Sequence, residues 1–166
     1  MIPHGRLRLL RERVRCFLGG MPPHVQVAAL PWRAGGADGE GAREVMLVTS
    51  RGTGRWVLPK GWPEHSEALH EAAAREAAEE AGVSGPVAPQ EIGRFYYGKT
   101  TPSGAERRCE VRVFALEVES EAAKWPERKE RQRRWFTATE AAGLVDEAGL
   151  RELILGFAAN PRKSAA

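Results

Sequence analysis

The chain has 166 residues, 42% hydrophobic and 28% charged, a size and balance suited to one domain with a substantial core. Its 18 Gly and 11 Pro exceed average usage without dominating, which excludes low-complexity disorder and a collagen-like repeat. Lys and Arg outnumber Asp and Glu by 25 to 22, for a net charge of +3; this favours an anionic partner without choosing among nucleic acid, phosphates and a lipid surface. Two cysteines, Cys16 and Cys109, have no CxxC spacing and no second pair, so they make neither a disulfide scaffold nor a zinc knuckle and suit a reducing compartment. Arginines interrupt the N-terminal leucines, and no later apolar run approaches membrane-spanning length. A soluble, cytoplasmic protein with no membrane partner is expected.

From Gly5 to Leu18, Leu7, Leu10, Val14 and Phe17 recur at helical spacing, predicting a basic amphipathic helix docked on the domain, with a frayed basic tail as the alternative. Residues 1–23 are thus an extension, 24–160 one domain without internal repeats, and 161–166 a disordered tail. His24 to Trp32 and Glu44 to Ser50 read as strands joined by a long glycine-rich loop. RWVLP reads as one short strand before the Lys60-Gly61-Trp62-Pro63 loop. The alanine-rich segment from Ser66 to Ala81 reads as a helix, capped by Ser66 and stopped by Gly82. EIGRFYYGKT and ERRCEVRVFALEV read as paired strands around TPSGA, with Cys109, Val111, Val113 and Ala115 alternating. Thr137 or Thr139 caps a short helix, and Gly149 to Asn160 makes a last amphipathic helix through Leu150, Leu153, Ile154 and Phe157.

Chemistry concentrates between Gly61 and Val83. At about 100° per residue, Glu76, Glu79 and Glu80 share one patch of the predicted helix. Crowded like charges destabilise a helix unless a cation sits against them, and a hard divalent ion with oxygen ligands is the natural one. The same phase aligns Leu69, Ala72 and Ala73 with Glu76 and Glu80, which puts the acids on the stripe that faces the protein. The plainer reading is a good surface helix in which Glu71 and Arg75 form an ordinary i,i+4 pair. That reading leaves Gly61, Glu67 and the Arg75-Glu76 doublet unexplained.

Those residues carry a resemblance. Gly61, Glu67, Arg75, Glu76, Ala77, Glu79, Glu80, Gly82 and Val83 match every position of the Nudix box, G-x5-E-x7-R-E-U-x-E-E-x-G-U. At average residue usage such a match arises by chance on the order of once in a billion windows. The resemblance implies an α/β Nudix fold, a mixed β-sheet sandwiched between α-helices. It also implies Mg²⁺- or Mn²⁺-dependent hydrolysis of a diphosphate linked to another moiety. By position in the box, Glu76 and Glu80 are expected metal ligands, Glu79 a ligand or the base for water, and the Gly61 carbonyl a further ligand. Arg75 is expected to orient the glutamates by pairing with Glu67 or Glu76. A base from outside the box is the alternative, and Glu106, Glu110 and Glu119 read as solvent-facing strand residues.

Outside the box, TSRGTGRWVLPKGWPE, RCEVRVFALEV, WPERKERQRRWF and DEAGLRELI resemble the bacterial branch close to diphosphoinositol polyphosphate phosphohydrolases, over roughly residues 25–155. That resemblance implies a polyphosphorylated small molecule as partner, either an inositol pyrophosphate or a dinucleoside polyphosphate. Ser50, Arg51, Arg55 and Lys60 lead into the box and are the expected phosphate-binding residues, through guanidinium forks, an ammonium and a hydroxyl. Arg94, Lys99, Arg107 and Arg108 read as solvated surface, as does the run from Arg128 to Arg134, with a polyanion site as its second reading. Trp56, Trp62 and Trp135 read as packing residues before base-stacking ones. The competing functions are hydrolysis of ADP-ribose or an RNA 5′ end, and a non-catalytic Nudix-fold regulator that binds nucleic acid through its charge. The intact box and the lack of a nucleic-acid module weigh against the last.

Overall fold

Strand β1, His24–Ala34, is apolar at consecutive positions because both of its faces are covered. Ala28, Leu30 and Trp32 pack on one side of the sheet, Val27 and Ala29 on the other. The computed structural model describes residues 22–35, 42–100, 104 and 106–160, together with Leu10, Val14 and Arg15. The remaining N-terminal positions, where the basic helix is expected, and the tail at 161–166 lie outside the described residues; Leu10 and Val14 are exposed.

Strand β2, Arg43–Thr49, pairs antiparallel with β1 through Trp32 and Val45, as the hairpin reading required. RWVLP does not form one strand. Trp56–Val57, β3, pairs with β2, and Lys60–Gly61, β4, crosses to pair with Val27 and Ala28 of β1. The chain changes partner at Leu58-Pro59, and proline there donates no ladder hydrogen bond. Strands β6, Val87–Thr100, and β7, Glu106–Glu117, form the second antiparallel pair, and β7 runs parallel to β1. Just before β6 and just after β7, β5, Val83–Ser84, and β8, Ser120–Glu121, pair with each other in a small separate antiparallel ladder. A ninth strand, β9, Arg133–Thr137, lies against β2 where the sequence suggested only a basic surface run. The seven-stranded mixed sheet has the main order β3-β2-β1-β7-β6, with β4 and β9 as side partners.

Helix α1, Leu69–Ala81, covers one face through the fully buried Ala72, Ala73, Ala77 and Ala81, whose small side chains let it lie close to Phe114 and Leu116. Helices α2, Ala138–Leu144, and α3, Ala148–Ala158, cover the other through Ala141, Leu150, Ile154 and Phe157. Full burial of each large α3 side chain contributes about 1.5–3 kcal/mol. Thr137, not Thr139, caps α2, in a reciprocal box with Glu140.

Helix α1 begins three residues later than expected. Ser66 is not its cap but sits at φ 71°, and Ala68 occupies the cap position without a side-chain bond. The reason is Glu67: its carboxylate accepts the Glu64 N–H at 3.1 Å and turns toward Arg75, so residues 64–67 form a tight turn instead of a helical one. Gly82 ends α1 as expected, at φ 63°, its N–H donating to the Ala78 carbonyl. A Cβ there would fall 2.7 Å from Trp125.

Candidate active site

Because Glu76 and Glu80 share the alanine stripe of α1, the helix that packs the sheet also drives two carboxylates into the protein. Strand β4 meets them. The Cδ of Glu76 lies 2.2 Å from where a Cβ on Gly61 would stand, so only glycine leaves room for this carboxylate against the strand. Glu80 accepts the Lys60 backbone N–H at 3.1 Å. Glu79 points outward and is half exposed.

Arg75 neutralises the entrance to this cluster. Its Nε and Nη2 donate to the two oxygens of Glu67 at 3.0 and 3.1 Å, Nη1 donates to Glu76 at 2.8 Å, and Nη2 also reaches the Trp62 carbonyl at 3.1 Å. Both partners named from the sequence are engaged at once, and Arg75 turns to them rather than to Glu71. The fork holds the Glu67 carboxyl below the usual carboxylate range. Burial pushes the Glu76 carboxyl up, against the pull of Arg75, and pushes Glu80 up to about 7, against Arg131.

Arg131 is the residue that the sequence concealed. It is 9% exposed, and its three nitrogens are all committed: Nη2 to Glu80, Nε to Glu127 at 2.5 Å, and Nη1 to the Thr49 carbonyl at 3.0 Å. Its neighbour Arg133 donates to the Ala81 and Gly82 carbonyls at 2.6 and 3.1 Å, capping the C-terminus of α1. The run from Arg128 to Arg134 is therefore not simply solvated surface. Nothing in the run distinguishes Arg131 from its basic neighbours, but three crowded glutamates with one nearby arginine already demanded another cation.

The donor set suits a hard divalent cation: glutamate oxygens, one buried pair of acids, and a glycine strand that lets the Glu76 carboxylate lie against the backbone of Gly61. Among the described residues no three acidic, cysteine or histidine side chains converge into a closed cage. Mg²⁺ seldom needs one, since it keeps waters and takes substrate phosphate oxygens alongside one or two carboxylates.

Beside the acids runs a cleft of about 550 Å³ between the turn after β2 and the loop before β9. Ser50, Gly52 and Gly54 line one wall, Arg128, Lys129 and Arg131 the other. The Ser50 hydroxyl meets Thr53 Oγ1 at 2.6 Å and accepts the Arg55 N–H, so it shapes the turn. Arg51 pairs with Glu130 at 3.3 Å and Glu127 at 3.5 Å, and Arg55 with Asp146 at 2.9 Å, all near the surface. Lys60 Nζ lies 5.6 Å from the Tyr97 ring centroid, with no carboxylate within ion-pair distance among the described residues, and burial lowers its pKa.

Glu110 departs from its expected place. It is not solvent-facing but 8% exposed, accepting from Arg94 at 3.1 Å, Arg112 at 3.2 Å and Tyr96 at 2.8 Å, because the sheet face it shares with Phe114 is covered. Arg94 belongs to that network and also bonds Glu91 at 2.6 Å, so it too is not free surface. Glu119, Arg107 and Arg108 are exposed, and the Glu106 and Lys99 side chains lie outside the described residues. Trp56 packs edge-on against Phe136 at 5.0 Å, and Trp135 carries Arg33 at 4.3 Å over its ring, while Trp62 is exposed and edge-on to His24.

Comparison with known proteins bears on this geometry. The family model described as NUDIX domain matches residues 22–155. Nudix hydrolase 12, mitochondrial, of Arabidopsis thaliana is 37% identical over 133 residues, which are 78% of this chain and 66% of that protein. Nudix hydrolase 13, mitochondrial, of the same plant is 38% identical over 113 residues, 64% of this chain and 55% of that protein, so this chain spans less than two thirds of either relative's length. Among solved structures, the C. elegans Ap4A hydrolase superposes with a TM-score of 0.59 at 18% identity, covering 82% of this chain and 97% of that one, a likeness of fold.

Proposed function

The chain belongs to the Nudix hydrolase family, and from that premise we propose that it hydrolyses a phosphoanhydride in a phosphate-rich small molecule, with Mg²⁺ or Mn²⁺ held at the α1 glutamates. A diphosphoinositol polyphosphate or a dinucleoside polyphosphate is the substrate class, in line with the sequence features outside the box. The observation that carries the proposal is the join between the buried glutamates and the basic cleft: Arg131 lines the cleft beside Arg128 and Lys129 and pairs with Glu80, which also accepts the Lys60 backbone N–H at 3.1 Å.

Glu76, Glu80 and the Gly61 carbonyl would hold the ion, with Glu79, half exposed, as a further ligand or the group that takes the proton from water. When bound, the ion supplies charge that offsets the phosphoryl oxygens and acidifies the attacking water. Arg75 keeps Glu76 and Glu67 in place with a planar fork that lysine lacks. The pairs of Arg51 with Glu130 and of Arg55 with Asp146 are surface pairs, each worth about 0–1 kcal/mol, and Arg51 meets Glu127 at a longer 3.5 Å, so a polyphosphate displaces those partners at small cost. An anion beside Lys60 relieves the cost of its buried ammonium. A reducing, cytoplasmic setting belongs to the same proposal, supported by Cys109 as a buried free thiol. No helix among the described residues is long and apolar enough to cross a membrane.

The test is phosphate release with Mg²⁺ from an inositol pyrophosphate, diadenosine hexaphosphate, ADP-ribose and triphosphorylated RNA, each repeated with Glu80→Gln. Preference for the first two, lost in the variant, is the expected result. Preference for ADP-ribose or RNA ends overturns the substrate class, and turnover unchanged in Glu80→Gln overturns the site.

A further inference from the structure

A chain of alternating charge leads from the turn after β2 to the buried acid of α1: Arg51, Glu127, Arg131, Glu80. Arg51 meets Glu127 at 3.5 Å, Glu127 meets Arg131 Nε at 2.5 Å, and Arg131 Nη2 meets Glu80. One end is 59% exposed and the other is buried. Glu127 is fixed by backbone as well as by charge. Its N–H donates to the Glu79 carbonyl at 3.2 Å, and its own carbonyl accepts from Glu130 and Arg131 at 2.9 and 3.0 Å. Neither Glu127 nor Arg131 lies in the box.

Arg131 serves two carboxylates with one positive charge. Each guanidinium nitrogen has its own partner, Nη2 Glu80, Nε Glu127 and Nη1 the Thr49 carbonyl, so a single positive charge is divided between two carboxylates. A divalent ion at Glu80 competes with Arg131 for the same carboxylate, so the division of that charge sets how tightly the ion is held. Arg51 reaches the same Glu127 from the far end at 3.5 Å, with its Nη1 also donating to Glu130 at 3.3 Å.

We propose that Glu127 is a positioning residue that couples the basic turn to the metal-holding carboxylate, by setting how far Arg131 neutralises Glu80. An anionic group that draws Arg51 away leaves Glu127 to Arg131 alone, frees Glu80, and tightens the hold on the ion. By linkage, the ion tightens the hold on the anion by the same factor. The inference rests on the proposed metal-dependent function and adds to it a route by which the two sites communicate.

The test measures free Mn²⁺ by electron paramagnetic resonance, without turnover, in the wild type, Glu127→Gln, Arg131→Met and the double variant. Glu127→Gln is expected to weaken Mn²⁺ binding about fivefold or more, the lower range of ordinary coupling. In the Arg131→Met background the same substitution is expected to have no further effect. A loss of equal size in both backgrounds makes Glu127 a bulk electrostatic contributor and overturns the proposal. Arg51→Gln, at an exposed position, is the variant that folds regardless. It is expected to tighten Mn²⁺ binding and to abolish the tightening that sulfate, replacing chloride at matched ionic strength, produces in the wild type. Sulfate with no effect on the wild type overturns the coupling. Mn²⁺ binding that is indifferent to Glu80→Gln overturns the function proposal itself, a different result from one in which Glu80 matters and Glu127 does not.

Discussion

Two regions of this protein bury a glutamate beside arginines, and only one of them leaves its acids short of cations. At β6 and β7, Glu110 receives Arg94, Arg112 and Tyr96, while Glu91 takes the remaining capacity of the two arginines. Acids and bases there balance, and each Glu110 oxygen has a donor. At α1 and the turn before it, Glu67, Glu76, Glu79 and Glu80 share chiefly Arg75 and Arg131. Negative charge is in excess, the glycine strand brings the Glu76 carboxylate against the backbone, and burial raises the carboxyl pKa values of Glu76 and Glu80. Burial of a carboxylate therefore does not by itself point to a metal; a shortage of protein cations beside it is what the proposed function rests on.

The sharpest way to break this contrast is to neutralise one acid in each region. Glu76→Gln and Glu80→Gln are expected to lower metal-dependent hydrolysis by about a thousandfold or more while leaving the fold intact by circular dichroism. Glu110→Gln is expected to do the reverse, keeping turnover within about threefold but costing about 2 kcal/mol in denaturant unfolding as its arginines lose their charge partner. Gly61→Ala comes next. Its methyl group would occupy the place of the Glu76 carboxylate, and a drop of about a hundredfold in kcat is expected, with little change in melting temperature. Arg75→Lys keeps the charge and loses the fork to Glu67 and Glu76, for an expected loss of about 10- to 100-fold in metal affinity by titration.

The smallest effect concerns acid stability. Glu67 has a folded pKa held below its ordinary value by Arg75, so it contributes stability above that ordinary value and loses it as pH falls through the folded one. Glu67→Gln is expected to flatten the wild-type fall in melting temperature below about pH 4.5. An unchanged acid limb in the variant places the titrating group elsewhere.

How much of this was legible in the sequence differs between the same two regions. The box spacing pointed to Gly61, Glu67, Arg75, Glu76 and Glu80, and the structure brings them together because one helix and one strand hold four of them and Arg75 reaches back to Glu67 in the preceding turn. Helical phase is a local property, readable without tertiary knowledge. Strand β9 and Arg131 were not readable, since their places depend on pairing with β2 across some 80 residues of chain: Arg131 bonds Thr49 with a separation of 82. Glu110 failed for the same reason. Alternation along β7 identified the face carrying Cys109 and Val111, but only the packing of α1 on Phe114 and Leu116, with Arg94 and Tyr96 on Glu110, reveals that the opposite face is covered too. The false cap at Ser66 is a local error with a non-local cause, the capture of Glu67 by Arg75 eight residues on.

The most direct test of the central claim is anomalous diffraction from crystals grown with Mn²⁺. The account predicts a peak bounded by the Glu76 and Glu80 carboxylates and the Gly61 carbonyl, and no peak at Glu110. A peak among Glu110, Arg94 and Arg112, or none between Glu76 and Glu80 at saturating Mn²⁺, would contradict it.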